Sequence, residues 1–268
     1  MKNTLFLILS VLLFVACGND SSTSANNTDE GEISSKSSSS NRHSGLDPES
    51  SSNQKTVSSS SGKVAELVDP ADVIVGSMTD SRDGQTYKTV KIGEQVWMAQ
   101  NLNYETANSY CYNDDVSNCA KYGRLYTWAT AVGKLEDVCG YGHSCSLPSG
   151  DIQGVCPSGW HLPSKAEWET LFTAVGGSSF AGTKLKSSSG WYNSGNGTDD
   201  FSFSALPAGL RYGDGVYDYE GYNAYFWSST EHGSRNAYDM FLNYYDDNAY
   251  LYYNYYKYDG FSVRCLQD

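Results

Sequence analysis

The stretch PSKAEWETLFTAVGG, residues 163–177, carries the clearest structural signal in the chain. Ser164 and Glu167 have the spacing of a capping box, in which each side chain accepts a backbone N–H that is otherwise unpaired at a helix start. The large apolar side chains that follow recur at helical spacing: Trp168, Leu171, Phe172 and Val175. Gly176-Gly177 then interrupts the pattern, as glycine commonly does at a helix end. The stretch therefore predicts a capped helix with one buried face.

Upstream of this helix the sequence predicts a β-hairpin. Residues 86–92 and 95–99 are rich in β-branched and aromatic side chains, and Gly93-Glu94 between them forms a two-residue turn. Residues 122–132 predict a second short helix, because their apolar side chains also recur at helical spacing.

Downstream of the capped helix the sequence predicts strands and loops. Five segments have strand-forming patterns: 201–205, 224–228, 237–244, 249–256 and 261–265. Early helices followed by a run of strands are typical of the α+β class. We therefore expect an α+β domain over residues 80–268, with two short helices and antiparallel strands.

The first residues have the organisation of a secretory signal. The apolar run over residues 5–15 is shorter than the about 20 residues that span a bilayer. Phe14-Val15-Ala16-Cys17 resembles the lipobox of bacterial lipoproteins, so residues 1–16 are expected to be a signal peptide and Cys17 the acylated first residue. The alternative is an ordinary secretory signal in which Cys17 joins a disulfide. The lipoprotein interpretation predicts a membrane partner through the lipid anchor and an outer-membrane location in the cell envelope, facing the periplasm or the surface.

A serine-rich segment follows the predicted anchor. Residues 18–62 contain 17 serines and almost no large apolar side chains. Such a segment cannot bury enough apolar area to offset the entropy cost of ordering. Residues 17–79 are therefore expected to be a disordered tether, although residues 63–80 have enough valine and leucine to form a first strand.

The chain is acidic, with 18 Lys+Arg against 31 Asp+Glu and a net charge of −13. A nucleic-acid-binding protein needs a basic surface for its phosphate contacts. We therefore expect no nucleic-acid partner.

Six separated blocks of the C-terminal part resemble one known family. The blocks are residues 83–93 with 97–104, 122–128, 156–163, 206–209, 226–230 and 260–265. In this order they resemble the Fibrobacter succinogenes major paralogous domain, a large family of bacterial envelope proteins of undefined biochemical role. The resemblance implies a C-type-lectin-like fold similar to that of the sulfatase-modifying group, whose helix motif is similar to residues 161–169.

Six cysteines remain once Cys17 is set aside, and six cysteines can pair in many ways. Sequence proximity favours Cys111 with Cys119 and Cys139 with Cys145, which leaves Cys156 with Cys265. The last pair is similar to the long-range disulfide of lectin-like domains. A metal site is the weaker alternative, because the chain has no Cys-x-x-Cys and its four histidines are scattered.

Residues 212–258 hold 14 of the 22 tyrosines, interleaved with small polar residues. Tyrosine offers a large rigid contact area with a hydroxyl, and its small polar neighbours supply adaptable hydrogen bonds, which is the composition of a binding surface. The side chains expected to contact a polysaccharide or protein ligand are Tyr244, Tyr245, Tyr250, Tyr252, Tyr255 and Trp227. The alternative is a tyrosine-rich strand surface that serves stability through cross-strand aromatic pairs.

The leading hypothesis is a non-catalytic binding or adhesion module of the envelope. The formylglycine-generating members of the sulfatase-modifying group use a reactive cysteine pair near the C-terminus, and this resemblance gives a thiol-dependent oxidase or modifying enzyme as the alternative. Only Cys265 lies in that region, so no catalytic residue is assigned. A purely structural envelope protein is the second alternative.

No cofactor is expected, with calcium as the alternative. The candidate ligands lie in one Gly-rich loop: Asn193, Asn196, Asp199 and Asp200. Oxygen-rich loops suit a hard cation, but the composition of this loop favours a polar surface loop with Asx turns. His161 is expected to be a structural histidine beside the capped helix.

Overall fold

The computed structural model describes residues 66–268. The predicted signal peptide, the anchor residue Cys17 and most of the predicted tether lie outside the described residues. Among the helices of residues 66–268, none has the length and apolar character that crossing a membrane requires.

Within this part of the chain there are twelve β-strands and five α-helices. The strands are β1 (Ile74–Thr79), β2 (Thr86–Ile92), β3 (Gln95–Met98), β4 (Ser109–Tyr110), β5 (Leu125–Tyr126), β6 (Trp160–His161), β7 (Ala208–Arg211), β8 (Tyr217–Glu220), β9 (Asn223–Glu231), β10 (Ala237–Asn243), β11 (Tyr250–Tyr252) and β12 (Leu266–Gln267). The helices are α1 (Val116–Tyr122), α2 (Trp128–Ala131), α3 (Glu136–Cys139), α4 (Lys165–Ala174) and α5 (Ser178–Leu185). The α+β class is confirmed, whereas the expected number of two helices is too low.

Most strands belong to two five-stranded sheets. The first sheet has the order β1-β2-β3-β12-β6 and is antiparallel throughout. The second has the order β11-β10-β9-β7-β8, in which only the β7–β9 pair is parallel. Because β12 pairs with both β3 and β6, the last strand of the chain closes the fold against earlier strands.

The predicted hairpin is confirmed as β2 and β3, with Ile92 opposite Gln95 beside the turn. Gly93 has a φ of 61°, a conformation that glycine adopts without steric cost. Strand β1 pairs along its length with β2, from Ile74 opposite Lys91 to Thr79 opposite Thr86. Residues 74–79, which we assigned to the tether, are therefore part of the first sheet.

The predicted capped helix is confirmed as α4. The Glu167 backbone N–H donates to the Ser164 hydroxyl at 3.3 Å, and the Ser164 backbone N–H donates to the Glu167 carboxylate at 2.7 Å. The four predicted core side chains are buried: Trp168, Leu171, Phe172 and Val175. Gly176 and Gly177 have φ values of 105° and 99° and separate α4 from α5. Helix α5 was not predicted, because small residues such as Ala181 and Gly182 make most of its buried face.

The prediction of one helix over residues 122–132 is wrong. This segment contains the end of α1, strand β5 and helix α2. Gly123 has a φ of 72°, and a Cβ there would lie 2.7 Å from the backbone oxygen of Leu102. The chain must therefore leave the helical path at Gly123, and Leu125–Tyr126 then pairs with Ser109–Tyr110. Contacts with distant backbone override the local helical spacing.

Three of the five predicted strands are shorter than expected or missing. Residues 201–205 form no strand and contribute one bridge, between Ala205 and Lys186. The prediction over 249–256 reduces to β11, and residues 261–265 make only isolated bridges before β12 begins. The predictions over 224–228 and 237–244 are confirmed in β9 and β10, with β10 ending at Asn243.

Aromatic side chains fill two buried clusters. Beneath α4, Trp97 lies against Trp168 with ring centroids 4.6 Å apart. In the second cluster Trp227 stacks on Phe261 at 4.2 Å. Because both clusters include residues of β9, this strand is buried over most of its length.

The structure contains three disulfides, and they are the pairs that the sequence favours: Cys111–Cys119, Cys139–Cys145 and Cys156–Cys265. The last has a sequence separation of 109 residues. It joins the segment before β6 to the segment before β12, which are neighbouring strands of the first sheet. It therefore reinforces covalently the place where the end of the chain closes the fold.

Candidate functional site

The tyrosine-rich stretch covers β8 to β11 and their connecting loops. Directly opposed residues of antiparallel strands lie on the same face of a sheet. Phe241 of β10 lies opposite Tyr225 of β9 and Tyr250 of β11, so one face of the second sheet carries a row of aromatic rings. The exposure of each ring determines which of them can contact a ligand.

The assignment of Trp227 to the ligand-binding surface is wrong. Its side chain is fully buried, and its indole N–H donates to the backbone oxygen of Tyr126 at 2.7 Å. Strand β9 is central in its sheet and is covered on both faces, so an alternating pattern does not produce an exposed side there. Trp227 is a core residue.

Tyr255, Tyr250 and Tyr252 are only half-buried, but other aromatic side chains occupy much of their surface. The Tyr255 hydroxyl is hydrogen-bonded to that of Tyr225 at 3.1 Å. Tyr250 and Tyr252 stack at 5.1 Å, and Tyr252 also stacks on Phe241. Such aromatic pairs are what we expect if this part of the tyrosine-rich surface serves stability.

Tyr244 and Tyr245 belong to an exposed cluster. Tyr192 and Tyr222 stack at 4.5 Å, and Tyr244 meets them edge-on at 5.5 and 5.4 Å. Tyr245 contacts Tyr244 at 5.1 Å and is 74% exposed. We call the four residues Tyr192, Tyr222, Tyr244 and Tyr245 the tyrosine platform. Their rings form a continuous aromatic surface in contact with solvent.

Sequence reasoning missed Tyr192 and Tyr222 as site residues. The platform comes from three separate segments, which are the turn at 192–194, the β8–β9 turn and the β10–β11 loop. Tyr192 lies outside the tyrosine-rich stretch, and its only local signal is an aromatic ring in a loop of Gly, Asn and Ser. Tertiary contacts alone bring it to the cluster.

Close backbone contacts hold the platform loops in place. A Cβ at Gly195 would lie 2.2 Å from the backbone oxygen of Tyr244. The buried Lys186 side chain donates to the backbone oxygens of Asn243 and Asp246 at 3.1 and 2.9 Å. The β10–β11 loop is therefore fixed by contacts inside the protein, which lowers the entropy cost of binding a ligand.

A hydrogen bond to Asp246 engages the hydroxyl of Tyr250 beside the platform. The Tyr250 hydroxyl donates to the Asp246 carboxylate, and this hydrogen bond together with burial raises the pKa of Tyr250. Because its single proton is held by Asp246, this hydroxyl can act toward a ligand only as a hydrogen-bond acceptor.

The calcium candidates are partly occupied by hydrogen bonds of their own loop. Asn196 accepts the backbone N–H of Trp191 at 3.0 Å, and Asp199 accepts the backbone N–H of Ser204 at 2.7 Å. Burial raises the pKa of Asp199 despite these hydrogen bonds. Asn193 and Asp200 are exposed. Calcium binding by this loop stays a prediction.

His161 lies in the single group of His, Cys, Asp and Glu side chains within residues 66–268 that is close enough to hold a metal, with Asp151 and Asp268. Its Nδ1 is 2.8 Å from Asp268 and its Nε2 is 3.0 Å from Glu167. Burial alone would lower the pKa of His161, but the two carboxylates raise it to about 9. Both ring nitrogens are thus engaged by carboxylates, and His161 ties α4 to Asp268, as expected of a structural histidine.

Cys265 is disulfide-bonded to Cys156 and fully buried. Nucleophilic or redox chemistry requires an accessible thiolate. In this state Cys265 offers no reactive thiol of the kind that the oxidase alternative needs.

Comparison with known protein families places most of the described residues in one of them. The sequence model of the Fibrobacter succinogenes major domain matches residues 90–267. No curated protein and no solved structure matches the chain. Since the family match covers well over half of the 268 residues, the chain belongs to the Fibrobacter succinogenes major domain family.

Proposed function

We propose that this chain is a non-catalytic lipoprotein of the cell envelope that binds polysaccharide through the tyrosine platform. The observation that carries the proposal is the meeting of four tyrosines from three chain segments at one exposed surface. Contiguous exposed aromatic surface on a folded domain marks an interaction site, because it gains little stability by staying in water.

Tyrosine suits a sugar ligand in two respects. Its ring face is apolar and contacts the C–H face of a sugar ring, while its hydroxyl stays wet and hydrogen-bonds to sugar hydroxyls. Exposed polar side chains on the same loops, Asn193 and Asp247, add further hydrogen-bonding groups. Because the loops are held by internal contacts, the site is largely formed before the ligand arrives.

We also propose that the domain has a C-type-lectin-like fold. Three features support this proposal. The Cys156–Cys265 disulfide links the middle of the domain to its last strand. Strand β12 returns to lie beside β3. The domain also has the mixed composition of that fold, with two five-stranded sheets and the two helices α4 and α5 between β6 and β7 in the chain.

The proposed location depends on Cys17, which lies outside the described residues. Stable membrane anchoring needs more than one acyl chain, as a processed lipoprotein cysteine carries. Metabolic labelling with a clickable fatty acid should mark the wild type and leave a Cys17→Ser variant unlabelled. Equal labelling of both chains would contradict the anchor.

The ligand assignment can be tested by affinity electrophoresis in gels that contain neutral polysaccharides such as xylan, glucomannan or β-glucan. We expect at least one of them to retard the wild type. A Tyr222→Ala, Tyr245→Ala double variant should bind about tenfold more weakly or worse. Tyr253→Ala is the matched control, because Tyr253 is 44% exposed but stacks on His232, outside the platform.

Two results would count against the proposal. If every polysaccharide gel that retards the wild type retards the double variant equally, the platform is not the binding site. If no polysaccharide retards the wild type while crosslinking from Tyr245 captures an envelope protein, the ligand is a protein.

A further inference from the structure

A second exposed aromatic cluster lies outside the platform. Tyr141, Tyr256 and Tyr258 are 39%, 41% and 36% exposed. Each ring contacts the other two, with centroids 4.7 to 5.3 Å apart. Within residues 66–268 no ring contact joins them to the platform, so this is a separate aromatic surface.

Arg235 borders this cluster and differs from the other arginines. Its guanidinium lies 5.8 Å from the centroid of the Tyr141 ring, and the residue is exposed. Within the described chain this guanidinium has no hydrogen bond and no ion pair. The other four arginines of residues 66–268 all donate hydrogen bonds: Arg82, Arg124, Arg211 and Arg264. Because no carboxylate of residues 66–268 pairs with it, the Arg235 guanidinium is available for an external anion.

The loop that carries Tyr141 is fixed from two directions. The Cys139–Cys145 disulfide closes it. The backbone N–H of Gly142 donates to the backbone oxygen of Ser234 at 2.8 Å, directly beside Arg235. Tyr141 and Arg235 are therefore held next to each other by the fold.

The segment that carries Tyr256 and Tyr258 is fixed as well. The buried Asp259 carboxylate accepts the backbone N–H of Tyr256 at 2.8 Å. The buried Lys257 donates to the backbone oxygen of His143 at 2.8 Å, which connects this segment to the Tyr141 loop. All parts of the surface are thus organised without a ligand, which reduces the entropy cost of binding.

We propose that these four residues, Tyr141, Arg235, Tyr256 and Tyr258, form a binding site for an acidic saccharide, which we call the Arg235 patch. Arginine pairs with a carboxylate through two parallel N–H donors, and the tyrosine faces contact the apolar face of the sugar ring. A uronic acid presents both groups in one residue. The proposal rests on the proposed function only in taking saccharide as the ligand, and it uses no platform residue.

The net charge of the chain opposes the binding of an acidic polysaccharide. With a net charge of −13 the protein as a whole repels a polyanion. Binding of an acidic polysaccharide therefore requires a local site that offsets this repulsion, and it cannot be ascribed to general attraction.

The test compares three probes on the purified full-length chain: polygalacturonate, its fully methyl-esterified form and dextran sulfate. We expect the wild type to bind polygalacturonate in affinity electrophoresis or calorimetry and to bind the methyl ester much more weakly. Arg235→Gln should lose about tenfold or more in affinity for polygalacturonate, as expected for a charged hydrogen bond, and Arg235→Lys should lose less. Lys88→Gln removes one positive charge at an exposed strand position and should bind like the wild type. Thermal unfolding of each variant checks that it is folded.

Several outcomes would overturn the Arg235 patch. These are equal wild-type binding of the acid and the methyl ester, unchanged affinity of Arg235→Gln, or no wild-type binding of polygalacturonate. Arg235-dependent binding of dextran sulfate without binding of polygalacturonate would likewise overturn the proposed carboxylate ligand. The Tyr222→Ala, Tyr245→Ala variant should keep its affinity for polygalacturonate. Failure of the platform proposal would instead appear as unchanged binding of neutral polysaccharides by that variant, so the two failures are distinguishable.

Discussion

The aromatic cluster beneath α4 and the tyrosine platform contain nearly the same ring contact in opposite environments. Trp97 and Trp168 lie 4.6 Å apart, and Tyr192 and Tyr222 lie 4.5 Å apart. Both tryptophans are fully buried, whereas the tyrosines are 51% and 38% exposed. Burial removes apolar area from water and so stabilises the fold, while an exposed pair leaves its faces available to a ligand. The same contact geometry therefore serves folding in one region and recognition in the other.

The largest expected effect is a substitution inside the buried cluster. Trp168→Ala should lower the free energy of unfolding by about 3–5 kcal/mol, because it removes a large apolar side chain and leaves a cavity. The Trp168 indole N–H has no hydrogen-bond partner within residues 66–268, so the loss would come from packing alone. Chemical denaturation measures it.

Tyr222→Ala is the matched exposed substitution for this measurement. Its free energy of unfolding should fall by less than about 1 kcal/mol. Similar losses for Trp168→Ala and Tyr222→Ala would mean that the platform is a structural surface.

Removing the long-range disulfide should have the next largest effect. A Cys156→Ala, Cys265→Ala variant should lose about 2–5 kcal/mol, since this link restricts a long loop of the unfolded chain. A Cys111→Ala, Cys119→Ala variant opens a loop with a separation of only 8 residues and should lose less. If urea denaturation ranks the two variants in the reverse order, loop closure is not the dominant contribution.

Asp239 of β10 is a polar residue in the buried part of the molecule. It lies opposite Trp227, is fully buried, and neither carboxylate oxygen has a hydrogen-bond partner within residues 66–268. Burial, together with the nearby Asp259, raises the pKa of Asp239 well above its usual range. Because the folded-state pKa of Asp239 lies above the unfolded one, this residue destabilises the protein least below the unfolded pKa, and its cost grows as pH rises toward the folded-state pKa.

Asp239→Asn should therefore stabilise the protein by roughly 1–3 kcal/mol at pH 8, since asparagine is neutral like the protonated acid. The difference should become small near pH 4, where the folded-state acid is protonated and about half of the unfolded-state aspartate is protonated as well. Denaturation midpoints of the two proteins at pH 4, 6 and 8 test this, and a gap that does not change with pH would contradict it.

The smallest expected effect concerns His161, whose pKa rises to about 9 beside Glu167 and Asp268. Its folded-state pKa exceeds the usual value of about 6.5. The stabilisation is therefore complete below pH about 6.5 and is lost as pH rises through about 9.

His161→Gln should remove this part of the pH dependence. The melting temperature of the wild type should fall more steeply between pH 7 and 10 than that of the variant. Parallel profiles would show that His161 is neutral in the folded protein. The His161→Gln substitution should not change ligand binding at pH 7, because His161 belongs to no aromatic binding surface.

Local sequence predicted those parts of the fold whose forces act over a few residues. The capping box of α4 and the Gly93 turn of the β2–β3 hairpin depend on neighbours three residues apart or fewer, and both are confirmed. The prediction failed at residues 122–132, where the backbone of Leu102 approaches Gly123 too closely for a helix to continue. Nothing within that segment encodes this contact.

The residues of the tyrosine platform were likewise predicted from the sequence only in part. Composition marked the tyrosine-rich stretch, and Tyr244 and Tyr245 are indeed exposed or half-exposed in the platform. Composition could not separate them from Trp227, because burial depends on the position of β9 in the middle of a sheet. It also could not find Tyr192, which reaches the platform only through the path of its loop.

By itself the sequence determined the α+β class, the capped helix, the family and the two short-range cysteine pairs, because capping, turns, family motifs and neighbouring cysteines lie in short stretches of residues. The Cys156–Cys265 pair followed as the two cysteines left over. The tertiary structure decided which tyrosines face solvent, which ring partners they have, and that the Arg235 guanidinium has no ion pair within residues 66–268. The physical reason is that exposure and charge pairing depend on residues far apart in the chain. Their proximity is set by the whole set of strand pairings and loop contacts, which no short stretch contains.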